Sequence, residues 1–494
     1  METIGHWIGG RLQPGTSGRS GPVYNPANGR QVAEVSLASE AEVDDAVKGA
    51  ASAAAHWADS TLSERSSRMF KLRDLIDRHR EDLARCVTAQ HGKVVSDALG
   101  EVARGLECVE FACGVPDLLK GSYSPQVSGG VDVRTVLEPL GVIAGITPFN
   151  FPVMVPLWML ANAVACGNAF VLKPSERDPS PALMLGEMVH DAGFPDGVVS
   201  VVQGDSVAVN ALLAHPDVDA VSFVGSTPVA RHVYETGTRN GKRVQALGGA
   251  KNHMVVLPDA DIDGAADAAV SAAYGSAGER CMAVSVVVAV GAVADTLVEA
   301  IAARIPKVKV GPGDDPDSMM GPLITREHRD RVRSYVEGAP NEGAKVVVDG
   351  TDLADADGFF LGCSLIDEVV PGMKVYEDEI FGPVLSVVRV NSFAEAVDTV
   401  NANTYGNGVA VFTRDGGAAR EFERRIKVGM VGVNVPIPVP VASHSFGGWK
   451  ASLFGDTPIY GPEGIRFYTR QKVVTSRWPD PASSAIDLGF PTNG

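Results

Sequence analysis

Cysteine is scarce in this chain, and its spacing suggests no bridge. Six cysteines stand at positions 86, 108, 113, 166, 281 and 363 among 494 residues. That is too sparse for a disulfide framework and fits a reducing cytoplasm. No CxxC pair occurs, and no two of the ten histidines lie three or four apart, so no metal site is expected. Basic charge is also short. The 43 Lys and Arg face 60 Asp and Glu, for a net charge of −17. That balance opposes non-specific binding to a nucleic-acid backbone, though not binding of a small phosphate-bearing cofactor by backbone amides. A clean apolar run is missing too. The stretch 151–172 is long enough to cross a bilayer, but it contains Pro152, Pro156, Asn162 and a Gly167-Asn168 pair. It reads as a buried helix, a turn and a strand, and no membrane association is expected. The first ten residues lack the basic and apolar regions of a signal peptide. Finally, no G-x-G-x-x-G succeeds any predicted strand, which excludes the usual Rossmann phosphate turn.

The composition is that of an ordinary soluble protein, 45% hydrophobic and 21% charged, over a length that suits two or three domains. Residues 40–114 read as mostly helical. From position 140, short β-branched runs alternate with helical segments: "GVIAGIT", "AFVLK", "VVSVVQG", "AVSFVGS" and "RVQAL" are strands. A second alternating block begins near Met254 with "HMVVLP" and "VSVVVAVG". Such alternation predicts parallel strands with crossover helices, hence two doubly wound α/β domains in tandem. Two pieces stand apart: 121–139 reads as a hairpin and 465–478 as a late strand with alternating sides. Exposed strands of this kind invite pairing with another subunit.

Several motifs offer chemistry. In "SFVGSTPVAR" a strand meets a helix at Gly225 and Ser226. This is either a plain strand–helix turn or a helix N-terminus that takes a pyrophosphate. "FVLKPSER" ends a strand with Lys173, with Glu176 and Arg177 just beyond. At the carboxyl edge of a parallel sheet these side chains can reach ribose hydroxyls, and a carboxylate there favours NAD over NADP; a solvated loop is the other reading. "EDEIFGPVLSVV" sets Glu379 and Phe381 before a buried strand, as a ribose clamp with an aromatic wall or as a charged turn. In "YGSAGERCMA", Cys281 comes directly after Arg280. A lone cysteine is usually inert, but a neighbouring cation lowers a thiol's pKa and favours the thiolate nucleophile.

Taken in order, "TPFNFP", "LKPSE", "FVGS", "GERCMA" and "EIFGP" resemble the aldehyde dehydrogenase family, from about Trp7 to Trp478. The resemblance implies Cys281 as nucleophile and Asn150 as oxyanion donor. It implies Thr147 and Phe149 beside the nicotinamide, with NAD as hydride acceptor and a thioester left on the cysteine. It also implies an NAD-binding domain over 1–120 and 140–248, a catalytic domain over 249–464, and an oligomerisation arm over 121–139 and 465–482. The assembly would be a homodimer or homotetramer.

One departure matters. The family pattern "ELGGK" carries a glutamate that activates water. Here the string is "QALGGAKNH", and counting back from Lys251 the slot holds Leu247, which accepts no proton. Another nucleophile must then release the acyl group, and a thiol does so without a strong base; coenzyme A is its natural carrier. "GAKNH", "SAGERCMA" and "NVPIPVP" resemble the acylating branch of the family, the methylmalonate-semialdehyde dehydrogenases. Within it, Arg280 and Arg104 of "GEVARGLECVEF" are implied to hold the substrate carboxylate. The implied reaction oxidises methylmalonate or malonate semialdehyde, loses carbon dioxide and yields propionyl-CoA or acetyl-CoA; valine breakdown is one source of the methylated substrate. A hydrolytic aldehyde dehydrogenase releasing free acid is the alternative, and a non-catalytic NAD-binding relative is a third reading.

Overall fold

The computed structural model describes residues 2–355 and 357–478, together with 482 and 486. Its first large sheet has eight strands. In spatial order they are Leu453–Phe454, Arg243–Leu247, Ala220–Val224, Val142–Ile146, Ala169–Lys173, Val199–Val201, His6–Ile8 and Arg11–Gln13. The five from Arg243–Leu247 through Val199–Val201 are mutually parallel. Parallel strands are covered on both faces, which explains why these segments read as unbroken apolar runs. Strand Ala169–Lys173 shows both faces at once. Phe170 and Leu172 join an apolar cluster with Trp57 and Leu157, while Ala169 and Val171 join another with Val47, Leu212 and Phe223.

The chain fills this sheet to one side of Val142–Ile146 and then returns to fill the other. The strand order therefore reverses between Val142–Ile146 and Ala220–Val224, which opens a crevice beyond their carboxyl ends. Five helices precede Val142–Ile146 among the described residues: Glu40–Ala58, Leu62–Arg78, Arg80–His91, Val95–Cys113 and the short Val115–Leu118. The first begins with a reciprocal cap between Ser39 and Glu42. The stretch 151–172 folds as helix Met154–Ala165, buried throughout, a turn at Gly167 with φ of 97°, and strand Ala169–Lys173. Among the described residues no helix is long and apolar enough to cross a membrane.

The second large sheet has seven strands: Lys345–Val348, Ser364–Asp367, Val384–Val390, Val284–Val290, Asn252–Val256, Gly408–Phe412 and Met430–Val433. All its pairings are parallel except that of Lys345–Val348. The α/β, doubly wound class expected from the alternation is thus observed.

The two segments that stood apart meet in one antiparallel sheet, although residues 465–467 of the expected late strand instead close helix Gly461–Phe467 and the strand begins at Thr469. Hairpin strands Tyr123–Ser128 and Val131–Pro139 are joined by Thr469–Arg477, paired in register from Thr469↔Pro139 to Arg477↔Val131. Residues 479–481 of the predicted arm lie outside the described residues. The residue pattern pointed to no elements over positions 2–36. There, short strands extend the first sheet's edge and build a small three-stranded sheet, Glu2–Ile4, Arg30–Ser36 and Ser20–Asn25. Three of these strands, Glu2–Ile4, His6–Ile8 and Arg11–Gln13, have three residues each, too few for a period of two to show.

Candidate active site

The residues just past the carboxyl ends of the sheet strands line the crevice. After Val142–Ile146 come Thr147, Phe149 and Asn150. Thr147 donates its backbone N–H to the Lys173 carbonyl (3.1 Å), and its buried hydroxyl has no hydrogen-bond partner among the described residues. After Ala169–Lys173, the Lys173 ammonium reaches the Glu176 carboxylate at 3.1 Å, and Arg177 lies over the Phe149 ring at 5.3 Å. After Ala220–Val224, Gly225 leads to Ser226, the N-cap of helix Thr227–Arg239. Ser226 makes no side-chain cap bond, which leaves the first N–H groups of that helix uncapped by it and suited to an anion. A side chain at Gly225 would start 2.6 Å from the Phe223 ring, so close approach to the backbone there depends on glycine.

The opposite wall comes from the second sheet. Glu379 Oε1 accepts the Ala250 N–H at 2.8 Å. Burial pushes its carboxyl up to about 7, against the lowering effects of that N–H and of Lys251. Phe381 meets Phe149 edge to face, with centroids 5.9 Å apart. The resulting cleft of about 630 Å³ is bordered by Phe149, Arg177, Gly225, Ser226, Glu379 and Phe381, and Cys281 also borders it.

Cys281 sits on the turn before strand Val284–Val290. The approach is tightly constrained: Ser276, Ala277 and Gly278 all have positive φ. The Cys281 carbonyl accepts from Asn252 Nδ2 (2.9 Å) and Asn407 Nδ2 (3.1 Å). Asn150 Nδ2 donates to the Glu279 carbonyl at 3.0 Å, two residues before the thiol. An amide NH₂ has two hydrogens, so one remains for an oxyanion. Burial first, and then the Glu379 carboxylate, push the thiol up to about 12, although Arg280 and the Cys281 and Met282 N–H groups oppose this.

A second cavity, of about 360 Å³, also borders Cys281. Trp158, Phe446 and Phe151 form apolar walls, and Arg104 and Arg280, with Asp97 and Glu101, supply charge of both signs. Both arginines already hold acidic partners. Arg280 Nη2 is 2.5 Å from Asp97 Oδ1. Arg104 Nη1 is 2.7 Å from Glu107 Oε2, and its Nη2 donates to the Pro440 carbonyl at 2.9 Å. Asp97 was missed in the sequence, yet Asp97, Glu101 and Arg104 are spaced to share one face of helix Val95–Cys113. His328 was also missed. It lines the large cleft and hydrogen-bonds the Phe381 carbonyl at 2.7 Å; burial depresses its pKa to about 4, so the ring is neutral and donates.

Of the residues singled out from the sequence, Phe149, Asn150, Arg177, Gly225, Ser226, Cys281, Glu379 and Phe381 line the large cleft, and Arg104, Arg280 and Cys281 the smaller cavity; Thr147 and Glu176 adjoin lining residues, and Lys173 borders neither cavity but bonds Glu176. Leu247 ends its strand beside Gly248 and is only 3% exposed. It packs in the apolar cluster against which Cys281 also rests. Among the described residues, no group of three or more His, Cys, Asp or Glu is arranged to hold a metal ion.

The protein is of the α/β class, with two tandem doubly wound sheets and a cysteine that borders both a large cleft and a smaller cavity. The sequence profile of the aldehyde dehydrogenase family matches residues 13–474, and the chain belongs to that family. The chain is 51% identical to a malonate-semialdehyde dehydrogenase of Pseudomonas aeruginosa, over 100% of both chains. Among solved structures, it resembles a methylmalonate-semialdehyde dehydrogenase from Oceanimonas doudoroffii, with a TM-score of 0.96 and 52% identity over 98% of this chain and 99% of that one. It also resembles the NAD complex of a candidate methylmalonate-semialdehyde dehydrogenase from Sinorhizobium meliloti 1021, with a TM-score of 0.96 and 50% identity over 98% and 99%.

Proposed function

We propose that the protein oxidises malonate or methylmalonate semialdehyde, with NAD as hydride acceptor and coenzyme A as acyl acceptor, releasing carbon dioxide and acetyl-CoA or propionyl-CoA. The observation that carries this reading is the smaller cavity, where two arginines flank the approach to Cys281. A short aldehyde that bears a carboxylate suits it. The relatives' names agree with that substrate class.

In this reading Cys281 Sγ attacks the aldehyde carbon, and Asn150 Nδ2 with a backbone N–H beside Cys281 stabilises the oxyanion. NAD, when bound, supplies the hydride acceptor. The open N-terminus of helix Thr227–Arg239 suits its pyrophosphate, Lys173 and Glu176 suit one ribose, and Glu379 suits the other. The first large sheet would then be the core of the NAD-binding domain (1–120 and 140–248), with strand Leu453–Phe454 added to its edge from the catalytic segment, and the second sheet would be the core of the catalytic domain (249–464). Leu247 leaves no base at the usual slot to activate water, which favours release of the acyl group to a thiol. The strands Tyr123–Ser128, Val131–Pro139 and Thr469–Arg477, with Tyr123 and Val473 each 61% exposed, form the arm we assign to dimer or tetramer contacts.

Product analysis with malonate semialdehyde and NAD, with and without coenzyme A, tests the reading. Turnover that requires coenzyme A and yields acetyl-CoA is expected. Free acid formed at the same rate without coenzyme A makes the enzyme hydrolytic.

A further inference from the structure

We propose that the buried ion pair between Lys93 and Glu101 positions the oxyanion donor Asn150, so that both residues control the chemical step without touching the substrate's reacting atoms. This rests on the reading of Asn150 as the oxyanion donor.

Both side chains are wholly buried, with Nζ 2.8 Å from Oε2. Lys93 Nζ also donates to the Asn150 carbonyl at 2.5 Å and lies 4.3 Å from the centroid of the Phe151 ring. The other carboxylate oxygen of Glu101 accepts the N–H groups of Val153 (2.8 Å) and Met154 (3.1 Å). Helix Met154–Ala165 has no side-chain cap at its own N-cap, Val153. Glu101, from another helix, fills that role with a negative charge at the positive end of the helix dipole. One ion pair thus grips the chain at Asn150 and again at Val153 and Met154. The segment between is the bend that carries the Asn150 amide.

Burying two opposite charges is costly, and a well-packed apolar pair of similar volume is often as stable. An apolar pair, however, cannot bond three buried backbone groups of one loop. Asn150 itself is 3% exposed, and its side chain is anchored only at the Glu279 carbonyl among its described bonds. The main-chain grip therefore sets where its second amide hydrogen points. Misplacement by about 1 Å is enough to cost on the order of a hundredfold in rate.

The test is the double variant Lys93→Met with Glu101→Gln, which removes both charges together and keeps an acceptor near Val153 and Met154. Lys93→Arg serves as a second variant that keeps the charge and shifts the donor. Circular dichroism and thermal unfolding establish that each is folded. The expected result is a fall in kcat of about tenfold or more with little change in KM for the semialdehyde. The same double change placed on Asn150→Ala should have almost no further effect, because residues acting through one group are not additive. An equal loss in the Asn150→Ala background, or a kcat near wild type in folded variants, overturns the proposal. If Asn150→Ala alone keeps full activity, the oxyanion reading itself is wrong and the proposal falls with it.

Discussion

Arg280 reaches from the loop of Cys281 to Asp97 on helix Val95–Cys113, with Nη2 and Oδ1 2.5 Å apart. The partner orients the guanidinium beside the smaller cavity while leaving most of its five donors available. Arg280→Gln should therefore weaken selection for an acid-bearing aldehyde more than it harms the chemistry. The expected loss in kcat/KM is about tenfold to a hundredfold for malonate semialdehyde, matching about 1.5–3 kcal/mol for a hydrogen bond to a charged group. Propanal, which has no carboxylate, should lose much less. Equal losses for both substrates would remove Arg280 from substrate recognition. Arg104→Leu should behave alike.

The thiol and Glu379 are coupled. Burial holds Cys281 high, and the Glu379 carboxylate adds to that by opposing a second negative charge. Alkylation of the free enzyme by iodoacetamide should thus be slow at pH 7 and climb steadily to pH 9 without a plateau. Glu379→Gln removes the opposing charge, which lowers the thiol's pKa and speeds alkylation above pH 7, where the wild-type carboxyl is ionised. Rates that match the wild type across that range would show that the field of Glu379 does not govern the thiol.

Much of this was legible in the sequence, for identifiable reasons. The inner strands of both sheets, such as Ala220–Val224 and Val284–Val290, are buried on both faces and announce themselves as apolar runs. Candidate site residues at the ends of such strands, like Lys173 and Gly225, could be placed by position alone. The ion pairs could not. Lys93 and Glu101 belong to a loop and a helix in a region of many charges, and nothing local distinguishes a buried lysine from a solvated one. The partner of Arg280 lies 183 positions away, a separation that no periodicity reports.

Glu42 gives a pH test of folding. Partial burial would raise its carboxyl, but hydrogen bonds from Ser39 and Thr16 together outweigh that and hold it down at about 2, below the ordinary 4.5. A depressed carboxyl stabilises the fold above its unfolded pKa, and that contribution is lost as pH falls through the folded value. The thermal stability of Glu42→Gln should therefore trail the wild type near pH 7, and the gap should close between about pH 4.5 and pH 2. A gap of constant size over that window would mean the side chain acts through packing rather than charge.

Leu247 offers the sharpest test of how the acyl group leaves. It is 3% exposed and shares an apolar cluster with Cys281. Leu247→Glu would restore a carboxylate at the family's base slot, in surroundings that raise its pKa toward the range useful for a general base. Two outcomes should accompany each other. Stability should fall by about 1–3 kcal/mol or more, since a buried polar group replaces a packed side chain. Free acid should form without coenzyme A, at a rate above that of the wild type. Leu247→Gln carries a similar packing cost without the base and separates the two effects. If Leu247→Glu stays folded and hydrolyses no faster than Leu247→Gln, the absence of a base at position 247 is not what commits the acyl group to a thiol.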